Sequence, residues 1–170
     1  TEVKVRSRQT NKPDKYIVSE CVKVLRDELP YNLHIFVNSV EFIAKVIDTL
    51  KLAPEAVKVV CSTSGESRQE NQRKLGNAYP IGQPSDPAKK VNFYTSTCFE
   101  GCDIFDPDGV TFIVSDGRKA HTLLDISTLF TQICGRIRDS RYKAQIVHVY
   151  STTKYSKAVT LDEFVAATQR

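Results

Sequence analysis

The chain has 170 residues, and its 24 Lys and Arg against 20 Asp and Glu give a formal net charge of +4. This length suits one domain with a hydrophobic core, and 41% hydrophobic with 26% charged residues is ordinary for a globular protein. The composition excludes disorder, collagen and coiled coil, and no apolar run approaches the roughly 20 residues of a membrane span. A charge of +4 is too small to diagnose nucleic-acid binding by itself.

The chain begins at Thr1 and contains no Met, so we expect an excerpt of a longer protein. Its five cysteines are an odd number and lie mostly in apolar segments. That usage favours a reducing cytoplasm over a disulfide framework. No Cys/His set stands at zinc spacing, and no metal site is expected.

Hydrophobic periodicity predicts the elements of the first part of the chain. Alternation over residues 1–9 predicts an edge-like strand, and apolar residues at helical spacing predict a helix over 15–29 with Asp14 as its N-cap. The apolar run 33–37 predicts a buried strand. Ser39 is suited to cap a second helix after that strand.

Strands and helices continue to alternate in the remainder of the chain. Four further strands are predicted at 57–61, 91–94, 110–114 and 145–150. Helices are predicted at 69–75, along the apolar stripe Leu129, Ile133 and Ile137, and at 161–168, with a loop over 79–90. This alternation predicts an α/β fold with a largely parallel sheet.

The residues after the predicted strand 91–94 are rich in groups that bind phosphate and ribose. Thr95, Ser96 and Thr97 supply three consecutive hydroxyls, Gly101 permits close backbone approach, and Asp103 can accept a hydrogen bond from a ribose hydroxyl. Open parallel sheets bind ligands at the carboxyl ends of their strands. A Thr/Ser-rich strand exit with a glycine turn is the alternative interpretation.

A second polar pattern lies on the helix predicted around Ile133. Gln132 and Arg136 are four residues apart and therefore share a helix face. The fixed, permanently charged fork of arginine pairs well with phosphate oxygens. The alternative is an ordinary amphipathic helix with a solvated basic edge.

Together, T-S-x-x-x-E-G-x-D-I and, about thirty residues later, Q-x-x-G-R-x-R resemble motifs V and VI of superfamily 2 helicases. Residues 35–39 look like motif IV, and Ser64-Gly65 is similar to the short motif after the next strand. The resemblance covers roughly Ile35 to Tyr150, and the G-R-x-R ending looks closest to herpesvirus origin-binding-protein-like helicases. It implies that residues 1–170 are a C-terminal RecA-like lobe, a three-layer P-loop NTPase-type α/β domain whose mainly parallel sheet is flanked by helices.

The resemblance also implies roles, position by position. The implied catalytic residues are Arg136, Arg138 and Gln132, the nucleotide-binding residues Glu100, Gly101 and Asp103, and the nucleic-acid-binding residues Asn38, Ser39, Thr95 and Ser96. Arg136 would be an arginine finger that stabilises charge on the transferring phosphoryl group. The implied cofactor is ATP with Mg, bound mainly by an absent first lobe. The implied partners are that N-terminal lobe and nucleic acid, DNA in preference to RNA, with no membrane.

One spacing departs from the family pattern. The usual motif VI, Q-x-x-G-R-x-x-R, places its last arginine where this chain has Asp139. Arg138 instead lies two residues past Arg136, roughly 200° around a regular helix. Both arginines therefore reach one phosphate only if the helix ends or distorts after Gly135.

The sequence also lacks the phosphate-binding motif of ATP-hydrolysing proteins and leaves two alternative functions open. The phosphate-binding pattern G-x-x-x-x-G-K-[ST] does not occur, so we expect no appreciable ATP hydrolysis by these residues alone. The alternatives are a degenerate RecA-like module that only docks nucleic acid or protein, and a small-molecule α/β enzyme using 95–103. Phe93 and Tyr94 alternate along a strand, so at most one could stack on a base.

Overall fold

The computed structural model describes residues 4–98, 102–116, 133, 137–138, 140–142 and 145–151. The strands are β1 (Lys4–Gln9), β2 (Asn32–Phe36), β3 (Val57–Val60), β4 (Val91–Tyr94), β5 (Ile104–Phe105), β6 (Gly109–Asp116), β7 (Ile137–Arg138) and β8 (Gln145–Ser151). The helices are α1 (Pro13–Leu25), α2 (Val40–Leu50) and α3 (Ser67–Leu75), with short 3-10 turns at Pro54–Ala56 and Ser96–Cys98.

Six strands form one sheet in the order β1-β8-β6-β2-β4-β3, and every neighbouring pair runs parallel. The short strands β5 and β7 form a separate parallel pair. Parallel neighbours joined through helices are the signature of an α/β sheet covered by other layers. The arrangement confirms the predicted α/β fold class, with a mainly parallel sheet flanked by helices.

The two faces of the sheet are covered by different elements. On one face, Leu33 and Ile35 pack with α1 and α2 in the larger hydrophobic cluster. On the other, Phe36 and Tyr94 cluster with Ile113 and Ile146 of β6 and β8, and residues outside the sheet cover them: Cys98, Ile104 and Ile133. Alternate strand residues serve opposite faces, as the pleat requires. The second face is therefore where the connection after β4 meets the region of Ile133.

Helix boundaries follow local chemistry more closely than apolar periodicity. α1 begins at Pro13, which needs no amide donor at this position, so Asp14 lies in the first turn and its prediction as N-cap is wrong. The helix ends at Leu25, before the predicted residue 29, and Asp27 takes a left-handed φ of 57°. α2 begins as predicted, because Ser39 Oγ accepts a hydrogen bond from the Phe42 amide at 3.1 Å.

The helix predicted along Leu129, Ile133 and Ile137 is corrected at its end. Ile133 is helical, but Ile137 lies in β7, so it is not part of a helical stripe. The two-residue strands β5 and β7 were not expected, because so short an element has no periodicity to detect. The predicted helix 161–168 and Leu129 lie outside the described residues.

Candidate functional site

A cleft of about 350 Å³ opens where β2, β3 and β4 end. The residues that line it are Asn38, Ser39, Val40, Glu41, Ser62, Asn71, Lys74, Thr95, Ser96 and Thr97. This set includes all four residues that the resemblance assigns to nucleic acid. The structure thus brings together two segments, around Asn38 and around Thr95, that are far apart in the sequence.

Parallel pairing explains why these segments meet. The Val37 amide donates to the Tyr94 carbonyl at 2.9 Å, and the Thr95 amide donates to the Val60 carbonyl at 3.1 Å. The ladders therefore continue one residue past the strand ends. Connections from three neighbouring strands leave the sheet at one edge, which is where open parallel sheets bind ligands.

Ser39 contributes to the cleft mainly through the helix that it begins. Its side chain caps α2 and lies close to Glu41, with Oγ 3.4 Å from Oε2. Only 4% of Ser39 and 5% of Thr95 is exposed, whereas Ser96 is exposed and Asn38 half-buried. Ser96 and Asn38 therefore offer the larger polar surface, and Ser39 directs the partly positive helix end towards the cleft.

Among the described residues that line the cleft, one is acidic and one is basic. Glu41 Oε1 and Lys74 Nζ form an ion pair at 2.7 Å across the gap between α2 and α3. Asn71 Nδ2 donates to the Ser62 carbonyl at 3.0 Å, which ties α3 to the end of β3. A phosphate-bearing ligand entering the cleft would meet Lys74 already paired with a carboxylate.

Sequence reasoning missed several of these lining residues. Ser62 was detectable, because it follows a predicted parallel strand at the same sheet edge. Asn71 and Lys74 are three residues apart and share a helix face, but α3 has too few apolar residues to show which way that face points. Their location needed the packing of α3 against α2, which the sequence pattern does not reveal.

The residues predicted for the nucleotide are only partly described. Asp103 is exposed and directly precedes β5. Arg138 lies in β7, where it is the register partner of Phe105. The predicted residues Glu100, Gly101, Gln132 and Arg136 lie outside the described residues.

The described residues that follow Gln132 and Arg136 in the sequence lie close to the connection after β4. Ile104 and Ile137 are register partners in the β5–β7 pair. Ile133, the residue after Gln132, is fully buried in the same hydrophobic cluster as Cys98 and Ile104. The separation of about 200° between Arg136 and Arg138 assumed a regular helix, and the backbone at Ile137 and Arg138 is extended strand.

A buried polar network lies beneath the strand ends on the second face of the sheet. His34 Nδ1 is 2.8 Å from Tyr94 Oη, and His34 Nε2 is 2.7 Å from Asp106 Oδ2. Asp106 also accepts hydrogen bonds from Asn32 Nδ2 at 3.0 Å and from the Asp108 amide at 3.0 Å. Phe93 and Tyr94 are both fully buried, so neither presents an exposed ring on which a base could stack.

Burial sets the charge states in this network. Burial lowers the pKa of His34 below its ordinary value of 6.5, against the opposing effect of Asp106, so the imidazole is neutral near pH 7. Burial would raise the pKa of Asp106, but hydrogen bonds from His34 and Asn32 hold that pKa below its ordinary value of 3.8. The network therefore contains a carboxylate and a neutral imidazole.

Among the described residues, no cluster of three or more His, Cys, Asp or Glu side chains is placed to hold a metal ion. The described cysteines Cys21, Cys61, Cys98 and Cys102 are free thiols. Within the same part of the chain, no helix combines the length and the apolar character needed to cross a bilayer.

Comparison with known proteins gave one kind of match. No protein-family model matches the chain, and no curated protein matches it. Among solved structures, the chain is similar to the C-terminal domain of the DEAD-box protein Dbp5, with a TM-score of 0.48 and 15% sequence identity. That superposition covers 99% of this chain and 83% of the other.

Proposed function

We propose that this chain is the second RecA-like lobe of an ATP-dependent nucleic-acid helicase or translocase. One observation carries the proposal: Asn38, Ser39, Thr95 and Ser96 line a single cleft at the carboxyl edge of the sheet. The resemblance selected these residues from two separate motifs, and they meet because β2 and β4 are neighbouring strands of the sheet. Their juxtaposition supports a shared role in holding one ligand.

In this proposal the cleft is half of a nucleic-acid track. The Asn38 amide and the Ser96 hydroxyl can bond phosphate and sugar oxygens, and Lys74 adds a positive charge. These groups recognise backbone and carry no base preference. The same chemistry fits DNA, which we propose as the substrate, and RNA.

The nucleotide face is proposed at the β5–β7 pair. Asp103 is an exposed carboxylate that suits a ribose hydroxyl, and its position beside β5 fits that role. Arg136 would be the finger, with Arg138, Gln132, Glu100 and Gly101 contributing to the same face. ATP with Mg, held mainly by the N-terminal lobe, would supply the driving reaction when bound. The likeness to herpesvirus origin-binding-protein-like helicases rests on the short G-R-x-R ending alone.

The decisive experiment measures ATP hydrolysis by the full-length protein. We expect Arg136→Ala to lower turnover by about 10²-fold or more, because it removes a group that stabilises developing charge. Arg141→Ala is the matched control, since Arg141 is an exposed arginine that pairs with Asp108 at 3.0 Å and has no role assigned by the resemblance. Equal turnover of the two variants would remove the finger assignment.

A non-catalytic binding module is the second candidate. The observation that favours it is that the described residues form a polar cleft in which binding needs no ATP. An intact phosphate-binding Walker loop upstream of Thr1 would favour the helicase, and its absence would favour the module. Nucleic-acid binding by a full-length protein that does not hydrolyse ATP would establish this alternative. Tight ATP binding by the 170-residue chain alone would instead favour a free-standing small-molecule enzyme, because half of a nucleotide cleft should bind ATP feebly.

A further inference from the structure

One buried imidazole joins the two ends of the connection that carries Thr95 and Asp103. This β4–β6 connection comprises residues 95–108, of which 95–98 and 102–108 are described. His34 contacts Tyr94, which directly precedes this connection, and Asp106, which lies three residues after Asp103. Fully buried His34 lies on the neighbouring strand β2, so the two ends are tied through a side chain outside the connection.

The donors and acceptors in this link leave one consistent assignment. A carboxylate only accepts hydrogen bonds, so His34 Nε2–H donates to Asp106. The neutral ring then has its lone pair on Nδ1, which accepts the Tyr94 O–H. Both ring nitrogens are thereby used, and a buried ring that is fully bonded resists reorientation.

The packing of the sheet does not by itself require a polar side chain at position 34. Leu33, Ile35 and Phe36, the neighbours of His34 in β2, are apolar and fully buried. An apolar residue at position 34 would fill space without the cost of burying polar atoms. The polar ring adds directional bonds, which fix the positions of Tyr94 and Asp106 relative to each other.

We propose that His34 is a positioning residue that fixes the position of Thr95 relative to Asp103. Thr95 lines the proposed nucleic-acid cleft, and Asp103 lies on the proposed nucleotide face. The hydrogen-bonded link rests on the geometry of the described residues. Its consequence for activity rests on the proposed function. Loss of either bond lets the two ends of the connection move independently. Nucleic acid at the cleft then loses its influence on the nucleotide face.

Hydrogen exchange of the 170-residue chain tests the link without any ligand. Tyr94→Phe removes one hydroxyl and keeps the ring that stacks on Phe36 at 4.9 Å. We expect exchange of the Thr95 and Cys98 amides and of the β5 amides to rise about 10-fold, with β1 and β8 unchanged. Asp106→Asn, which weakens the other end, should have the same local effect.

Asn92→Ala is the matched control for exchange. Asn92 is also fully buried in β4, but its side chain bonds Leu33 and Lys89 at the amino end of that strand. We expect this variant to lower overall stability without selective exchange at 95–98. Uniform exchange across the sheet in Tyr94→Phe, or no change at Thr95, would overturn the proposal.

A second measurement separates positioning from stability in the full-length protein. We expect Tyr94→Phe to lower nucleic-acid-stimulated turnover about 10-fold, with less than about twofold change in the KM for ATP. Asn92→Ala should leave the degree of stimulation unchanged, and stimulation preserved in Tyr94→Phe would overturn the coupling. A wild-type protein that binds no nucleic acid would contradict the proposed function, and the exchange pattern alone would then decide whether His34 positions the connection.

Discussion

Ile104 and Ile137 are register partners in the short parallel pair of β5 and β7. In the sequence, Asp103 precedes the first of them and Arg136 the second, and these two residues come from different predicted motifs. Ile104 is also buried in the cluster that contains Cys98 and Ile133. The β5–β7 pair and this cluster are therefore two described contacts that join the two motifs on one side of the sheet.

Alanine substitutions of Ile104 and Phe105 should lower the free energy of unfolding by very different amounts. Ile104 is 1% exposed and Phe105 is 68% exposed, although they are adjacent in β5. We expect Ile104→Ala to lower the free energy of unfolding by about 2–5 kcal/mol, through lost transfer energy and a residual cavity. Phe105→Ala should stay within about 0.5 kcal/mol of wild type in denaturant unfolding. Similar losses from both variants would show that the β5–β7 pair is not packed as described.

The six strands of the main sheet could be predicted from local patterns, because β1 alternates apolar and polar residues and the other five are short, mainly apolar runs. Buried parallel strands read as such runs, and alternation with helices selects the α/β class. Ser39 was correctly assigned as a cap, because a serine before an apolar helical pattern has one common structural role. These features depend only on residues close in sequence.

The remainder of the site depends on contacts between distant residues. His34 reads as a polar interruption of an apolar strand, and Asp106 as the first residue of a turn, which it also is. Their hydrogen bond joins residues 72 positions apart, so no local pattern contains it. Likewise, Lys74 enters the cleft only because α3 packs on α2 and pairs it with Glu41.

Charge at the cleft should control nucleic-acid affinity through Glu41 and Lys74. We expect Lys74→Gln to weaken binding of a labelled oligonucleotide and to reduce the salt slope by about one, measured by anisotropy between about 50 and 200 mM salt. Glu41→Gln should strengthen binding several-fold, because it removes the acid found among the described residues that line the cleft and releases Lys74. Neither change should alter stability by more than about 1 kcal/mol, since the pair is partly exposed.

The ion pair of Glu20 and Lys23 on α1 provides the control for these charge changes. It has the same chemistry, with 3.7 Å between the charged atoms, and lies outside the cleft. We expect Glu20→Gln and Lys23→Gln to leave the salt slope unchanged. An equal response at both pairs would mean that binding follows net charge rather than the cleft.

Two substitutions of Ser39 should separate its role in helix capping from its role in ligand binding. Ser39→Ala removes the acceptor of the Phe42 amide and should cost about 1 kcal/mol, which lowers Tm by about 2–4 °C in a domain of this size. Ser39→Asp keeps a capping oxygen but adds a negative charge to the cleft. We expect it to weaken oligonucleotide binding more than Ser39→Ala does, because the added charge lies beside Glu41.

Ser67→Ala is the matched control for capping, because Ser67 begins α3 but no side chain caps that helix. It should leave Tm unchanged. A Tm loss as large as that of Ser39→Ala would show that the cap bond does not account for the effect.

The buried His34 should make stability depend on pH in a defined window. Among the described residues, Tyr94, Asp106 and Lys58 are the titratable groups that interact with it. Because burial lowers the pKa of His34 below 6.5, the unfolded chain binds a proton at this position before the folded chain does. Stability from neutral His34 is therefore complete above pH 6.5 and is lost as pH falls from 6.5 towards the lowered pKa, by at most about 1.4 kcal/mol per pH unit.

Comparison with His34→Gln isolates this contribution, since glutamine does not titrate. We expect the variant to be less stable than wild type at pH 7.5 because it cannot satisfy both Tyr94 and Asp106. The difference in unfolding free energy should shrink as pH is lowered to about 5, because only wild type loses stability at this position. Asp106 does not contribute in this window, since its pKa lies below 3.8. A difference that widens at lower pH would mean that folded His34 is charged and paired with Asp106, contrary to the neutral ring assigned here.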